Sequence, residues 1–145
     1  MSITDFLSHD HRACDQLFAE AEAAASRRDW ATAQKVTRRF LDAMDHHFRM
    51  EEEVLFPRFE EATGMHGGPP QMMRFEHQQM RGLFEDLAQA VAKGDDAAYL
   101  GTSETLLVMM QQHNMKEENI LYPMCDNALG SSDVGGTIAQ RLAAA

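Results

Sequence analysis

His113-Asn114-Met115-Lys116-Glu117-Glu118-Asn119-Ile120-Leu121-Tyr122-Pro123 has a near-twin 66 residues upstream, His47-Phe48-Arg49-Met50-Glu51-Glu52-Glu53-Val54-Leu55-Phe56-Pro57. Both read H-x-x-x-E-E-x-x-L-aromatic-P. Residues four apart on an α-helix share a face, so each stretch sets an imidazole one turn from a carboxylate. One such pair is ordinary. Two at matching places in a duplicated chain predict a metal site between facing helices.

The duplication reaches well beyond the motif. Residues 10–57 align without gaps on 76–123, and 13 of the 48 pairs are identical. Chance at ordinary composition would give about three. The chain therefore reads as two copies of one helical hairpin. Helix A is predicted from Thr4 to Arg27, with a seam of Leu7, His11, Cys14, Phe18, Ala21 and Ala25. Asp29 caps helix B, whose seam carries Phe40, Met44, His47, Glu51 and Val54, and Pro57 ends or kinks it. The Gly- and Pro-rich loop 63–70 is the clearest break, and its prolines suit the first turn of helix C. That helix presents Met73, His77, Met80, Phe84, Leu87 and Val91. Gly94-Asp95-Asp96 leads into helix D, with Leu106, Met110, His113, Glu117 and Ile120 inward and Pro123 at its end.

Short connections between long helices give antiparallel neighbours. The predicted fold is all-α, an up-down-up-down four-helix bundle over residues 1–128. The Gly-, Ser- and Ala-rich residues 129–145 are expected to form a loosely ordered tail, with a short helix near 138–142.

Composition narrows the function. The formal charge of −10 and the lack of a basic patch argue against nucleic acid and against an anionic membrane surface. No apolar run is long enough to span a bilayer. The opening residues Met1 to Phe6 lack the features of a signal peptide, and Cys14 and Cys125 have no disulfide-framework spacing. A cytoplasmic protein with free thiols is the simple expectation. No P-loop, nucleotide motif or Ser-His-Asp set occurs at usable spacing.

The seams carry the chemistry. Positions that should be apolar hold His11, His47, His77 and His113, with Glu51 and Glu117. Burying an unpaired carboxylate costs several kcal/mol or forces it neutral. The groups on each hairpin could pair with one another, but two divalent cations would satisfy all six at once. The repeat also selects among candidates: His9 and His46 have Phe75 and Gln112 as counterparts, whereas the four seam histidines are duplicated. Glu52 and Glu118 are duplicated too but lie one residue off the seam, which fits a solvated or supporting role. Imidazole with carboxylate suits Fe, Mn, Zn or Cu.

Taken together, the sequence resembles the hemerythrin-like proteins, or HHE cation-binding domains, over residues 4–128. Their pattern H…HxxxE…H…HxxxE is matched by His11, His47/Glu51, His77 and His113/Glu117. Asp10-His11-Arg12, the stretch from Gly68 to His77, and Asn119 to Met124 look like that family as well. The resemblance implies a non-haem centre of two iron ions with a bridging oxide or hydroxide. In it His11 and His47 hold one iron, His77 and His113 the other, and Glu51 and Glu117 bridge them. The oxygen-carrying members have a further histidine one turn before the helix C ligand, where this chain has Met73, and an aspartate in place of the second bridging glutamate. The expected function is binding of a small diatomic, O2 or NO, by a carrier, scavenger or sensor. The alternatives are an enzyme acting on peroxide or NO, and an iron-handling protein. Oligomeric state is not legible.

Overall fold

The computed structural model describes residues 1–144, all helical apart from short connections. Helix α1 spans Ile3–Ser26 and α2 spans Trp30–Met50, followed without a break by a π-helical turn, Glu51–Leu55 (π1), and by α3, Phe56–Thr63. Helix α4 spans Pro69–Lys93 and α5 spans Asp96–Lys116, followed by a second π turn, Glu117–Leu121 (π2), and by α6, Tyr122–Leu129. Helix α7, Val134–Ala143, closes the described chain. Every boundary of α2, π1 and α3 recurs 66 residues later in α5, π2 and α6. The repeat read from identical residues is thus a repeat of backbone.

The ends are set by local chemistry. Ser2 and Asp5 form a capping box at the start of α1. Asp29 accepts from the Thr32 amide to cap α2, and its repeat partner Asp95 accepts from Ala98 to cap α5. Gly64 and Gly94 end α3 and α4 with φ of 68° and 63°, a left-handed turn that favours glycine. Helix α1 packs on α2 and α5, and α4 packs on α5 and α2, which makes a helical bundle.

Its interior has two apolar clusters. One holds Phe18, Phe40, Phe84, Leu87, Tyr99 and Leu106. The other holds Leu7, Met50, Leu55, Phe56, Tyr122 and Ile138. Trp30 and Tyr99 close the far end of the first cluster, edge to face at 6.2 Å, and Tyr99 hydrogen-bonds Thr37 at 2.8 Å.

One expectation is corrected. Neither Pro57 nor Pro123 ends its helix; each sits in the first turn of the α-helix that continues it. The first turn of a helix has no internal use for the missing N–H, and the π turn before each proline re-phases the hydrogen bonding. That change of phase also moves the inward positions. Leu55 and Leu121 are buried, not Val54 and Ile120, and Ile120 is 54% exposed. A further helix follows Leu129. Helix α7 lies against α1, α2 and π1, with Val134 and Ile138 fully buried. It is pinned by Arg141 to Glu53 at 3.0 Å and by His46 Nε2 to the Arg141 carbonyl at 2.8 Å. Val134 and Ile138 lie one turn apart and share its buried face. Ile138→Ala should cost about 2–4 kcal/mol, lowering Tm by roughly 5–15 °C in a calorimetric scan. An unchanged Tm would show the helix to be dispensable.

Candidate metal centre

The structure brings the six candidate residues into one buried layer between the two apolar clusters. His11 lies mid-α1 and His77 mid-α4; His47 and His113 lie in the last turns of α2 and α5; Glu51 and Glu117 open π1 and π2. All six are buried, and both glutamates completely. Each glutamate lies between two histidines of different helices. Glu51 Oε1 is 3.5 Å from His47 Nε2 and 3.2 Å from His77 Nε2. Glu117 Oε1 is 3.2 Å from His113 Nε2 and 3.1 Å from His11 Nε2. Two groups could each hold a metal ion: Glu51, His77, His113 and Glu117, and His11, His47 and Glu117. Glu117 belongs to both.

The donor atoms fit a cation better than they fit one another. Glu51 Oε1, His77 Nε2, His113 Nε2 and Glu117 Oε2 are buried with no hydrogen-bond partner. Glu51 Oε1 and His77 Nε2 approach closely but are not aligned for a hydrogen bond. Orphaned buried polar atoms are costly, and here four of them are good metal donors in one layer. Two imidazole nitrogens with carboxylate oxygens form a borderline donor set that suits iron among other first-row metals.

A ring of supporting carboxylates explains why every Nε2 faces inward. Asp10 Oδ2 is 2.7 Å from His47 Nδ1, and Glu76 Oε1, its repeat counterpart, is 2.9 Å from His113 Nδ1. Glu52 Oε2 is 2.7 Å from His77 Nδ1, and Glu118 Oε2 is 2.7 Å from His11 Nδ1. An ionised carboxylate only accepts, so each Nδ1 carries a proton and Nε2 is the nitrogen left to donate a lone pair when a metal takes the place of any proton there. Two of these acids are held in turn: Arg81 binds Glu52 through both terminal guanidinium nitrogens, and Lys116 binds Glu76. The supporting role read for Glu52 and Glu118 agrees with this geometry. Asp10 and Glu76 were missed, because aspartate opposite glutamate does not count as an identity. The usable signal was an acid at both positions directly before the duplicated histidine. Asp10→Asn and Glu118→Gln should each weaken metal binding about 10–100-fold with all six candidates intact. Competition against a chromophoric chelator measures this, and wild-type affinity in both would show that the ring does not orient the imidazoles.

The halves differ in the aromatic residue of the motif. Tyr122 takes the position that Phe56 has in the first repeat. Its buried hydroxyl donates to Glu51 Oε2 at 2.7 Å and lies 3.0 Å from Glu117 Oε1. His11 Nε2 and His47 Nε2 are 3.1 and 3.3 Å away. Phe56 and Phe48 instead stack on the His77 ring, Phe48 at 3.8 Å. The His11 and His47 imidazoles therefore have a phenol beside them, which also reaches both glutamates, whereas the His77 imidazole is stacked on hydrocarbon rings.

Electrostatics in the metal-free protein follow the same plan. Burial opposes the His11 cation, but Glu117 and Glu118 outweigh it and raise the pKa to about 10. Burial likewise opposes the His77 cation, and Glu51 and Glu52 raise it to about 9. Burial and the neighbouring Glu117 charge push Glu51 up. Burial disfavours the Glu117 anion as well, yet the neighbouring His113 and His11 imidazoles hold it well below the usual carboxylate range. Burial and both glutamates push the Tyr122 phenol up. Protons thus stand where cations would.

The remaining candidates are peripheral. His9 and His66 are exposed. Cys14 is buried, and burial pushes its thiol up, so it is an inert core residue. Met73 is buried one turn before His77 in the second apolar cluster.

Among the described residues no helix is long and apolar enough to cross a membrane. No curated protein and no solved structure gives a match to the chain. The hemerythrin HHE cation-binding domain matches it over residues 2–125. That span contains all six candidates and all four supporting acids, and the chain belongs to the hemerythrin HHE cation-binding domain family.

Proposed function

We propose that this is a cytoplasmic non-haem iron protein that binds a small diatomic, O2 or NO, between two metal positions in the bundle core. His11 and His47 would hold one ion and His77 and His113 the other, with Glu51 and Glu117 between them. The observation that carries this reading is the pair of overlapping donor groups whose buried Nε2 and Oε atoms lack partners. Iron held there supplies reversible redox chemistry and coordination of a diatomic. The chain's residues do the rest. The supporting acids hold each imidazole in one tautomer, Tyr122 holds a proton against Glu51, and Phe48, Phe56 and Met73 keep water out. Short connections at 27–29 and 94–95 support alternating directions for α1, α2, α4 and α5, the up-down-up-down arrangement.

The test is optical. Oxygen added to the anaerobic ferrous protein should produce near-ultraviolet and visible bands that fade on degassing, and NO should produce its own set. A spectrum indifferent to both gases overturns the reading. One observation favours a second reading, an enzyme acting on peroxide or NO: the Tyr122 hydroxyl is a proton donor inside the centre. Steady turnover lost in Tyr122→Phe, with metal content unchanged, would decide for it.

A further inference from the structure

A cleft of about 690 Å³ opens between the start of α4 and π2. This is far more room than a diatomic needs and lies in the range of sites for small organic ligands. Its floor is Met73 and Leu121, both buried; its walls include Met72, Phe75 and Ile120, at 55%, 62% and 54% exposure. Exposed apolar side chains gathered around a concavity mark a binding surface more often than scattered ones do. Lys116 is the one charged residue among the described lining. Its ammonium meets Glu76 Oε2 at 2.5 Å, which uses one of three N–H donors and leaves two for an incoming anion.

The cleft adjoins the metal centre. Met73 precedes His77 by one turn, Lys116 is next to Glu117, and Leu121 ends the π turn that Glu117 begins. Lys116 and His113 also hold opposite oxygens of one carboxylate: Lys116 on Glu76 Oε2, His113 Nδ1 on Glu76 Oε1. An anion that draws Lys116 away from Glu76 leaves that carboxylate a stronger acceptor for His113, and so changes the imidazole's donation at Nε2.

We propose that the cleft binds a medium-chain aliphatic carboxylate, with its head on Lys116 and its chain along Met72, Phe75 and Ile120, and that occupancy is reported to the metal centre through Glu76. The binding half stands on the cleft alone. The reporting half rests on the iron reading above.

The test is a calorimetric titration of the metal-loaded protein with hexanoate, octanoate and decanoate at physiological ionic strength, followed in parallel by the optical spectrum of the centre. Affinity should rise about two- to fourfold per added methylene. It should fall at least about tenfold in Lys116→Met, whereas decanol should bind both proteins alike. Phe75→Ser, a change at an exposed position, should weaken every chain length. The spectral shift should saturate together with the heat. No binding of decanoate up to about 1 mM, a limit of roughly 4 kcal/mol, overturns the proposal. So does a dimer in light scattering that is lost in Phe75→Ser and indifferent to decanoate, because the patch would then belong to a second copy. Binding with an unmoved spectrum overturns the reporting half. Metal analysis separates the two readings: decanoate binding by a protein without iron sinks the iron reading and leaves the cleft.

Discussion

Glu117→Leu should take the loaded protein from about two metal ions per chain to nearly none, whereas Glu51→Leu should leave about one. The difference follows from position. Glu117 belongs to both donor groups, and its Oε1 lies within 3.2 Å of both His11 and His113. Glu51 belongs only to the group with His77 and His113. Leucine fills similar space without a donor, so the loss is one of ligands rather than packing. The supporting acids stay in place in both variants. Metal content by elemental analysis, after loading and desalting, reads the result directly. Equal losses in the two variants would mean that the glutamates serve the centre symmetrically, against the grouping seen here.

Removing both metal ions from the wild-type protein should lower its Tm by roughly 20–30 °C. A cation that binds only the folded chain, at about a thousand times its dissociation constant, contributes about 4 kcal/mol per site, and each kcal/mol moves a domain of this size by a few degrees. Here the metal-free state must also leave four buried donor atoms without partners. The protons on His11 and His77 soften that cost by offsetting the buried carboxylate charge. The metal-free chain should therefore stay folded, with its helical circular dichroism intact, and melt earlier. Scanning calorimetry with and without a chelator measures the shift. Identical melting curves would mean that metal adds no stability to the bundle.

Much of this molecule is legible in its sequence. The 66-residue repeat was legible because His11, His47, His77 and His113 recur where core residues belong, and histidine is rare in a core without a reason. The same logic selected Glu51 and Glu117. The π turns were not legible. Hydrophobic period is read on a straight 3.6-residue helix, and one extra residue in a turn leaves the stretch looking merely imperfect. That is why Val54 and Ile120 were placed inward and Leu55 and Leu121 were not. Asp10 and Glu76 escaped because an acid on a half-exposed helix face looks like any other solvated charge. Tyr122 passed as a generic aromatic, since its significance is a difference between the repeats and not an agreement. The packing of helix α7 was masked by its glycines and alanines, although Val134 and Ile138 find a place against α1 and π1.

The supporting acids cross between the two hairpins. Asp10 serves His47 and Glu76 serves His113 within one repeat each, but Glu52 of the first repeat serves His77 of the second, and Glu118 of the second serves His11 of the first. Each hairpin thus lends one acid outward and borrows one back. A chain cut in the loop after Gly64 would yield two fragments, each with two imidazoles and only one of them oriented from within. Neither half holds a complete set of candidate donors with the acids that orient them. A metal held at this centre would draw its ligands and their supports from both halves, so its binding would register their correct assembly.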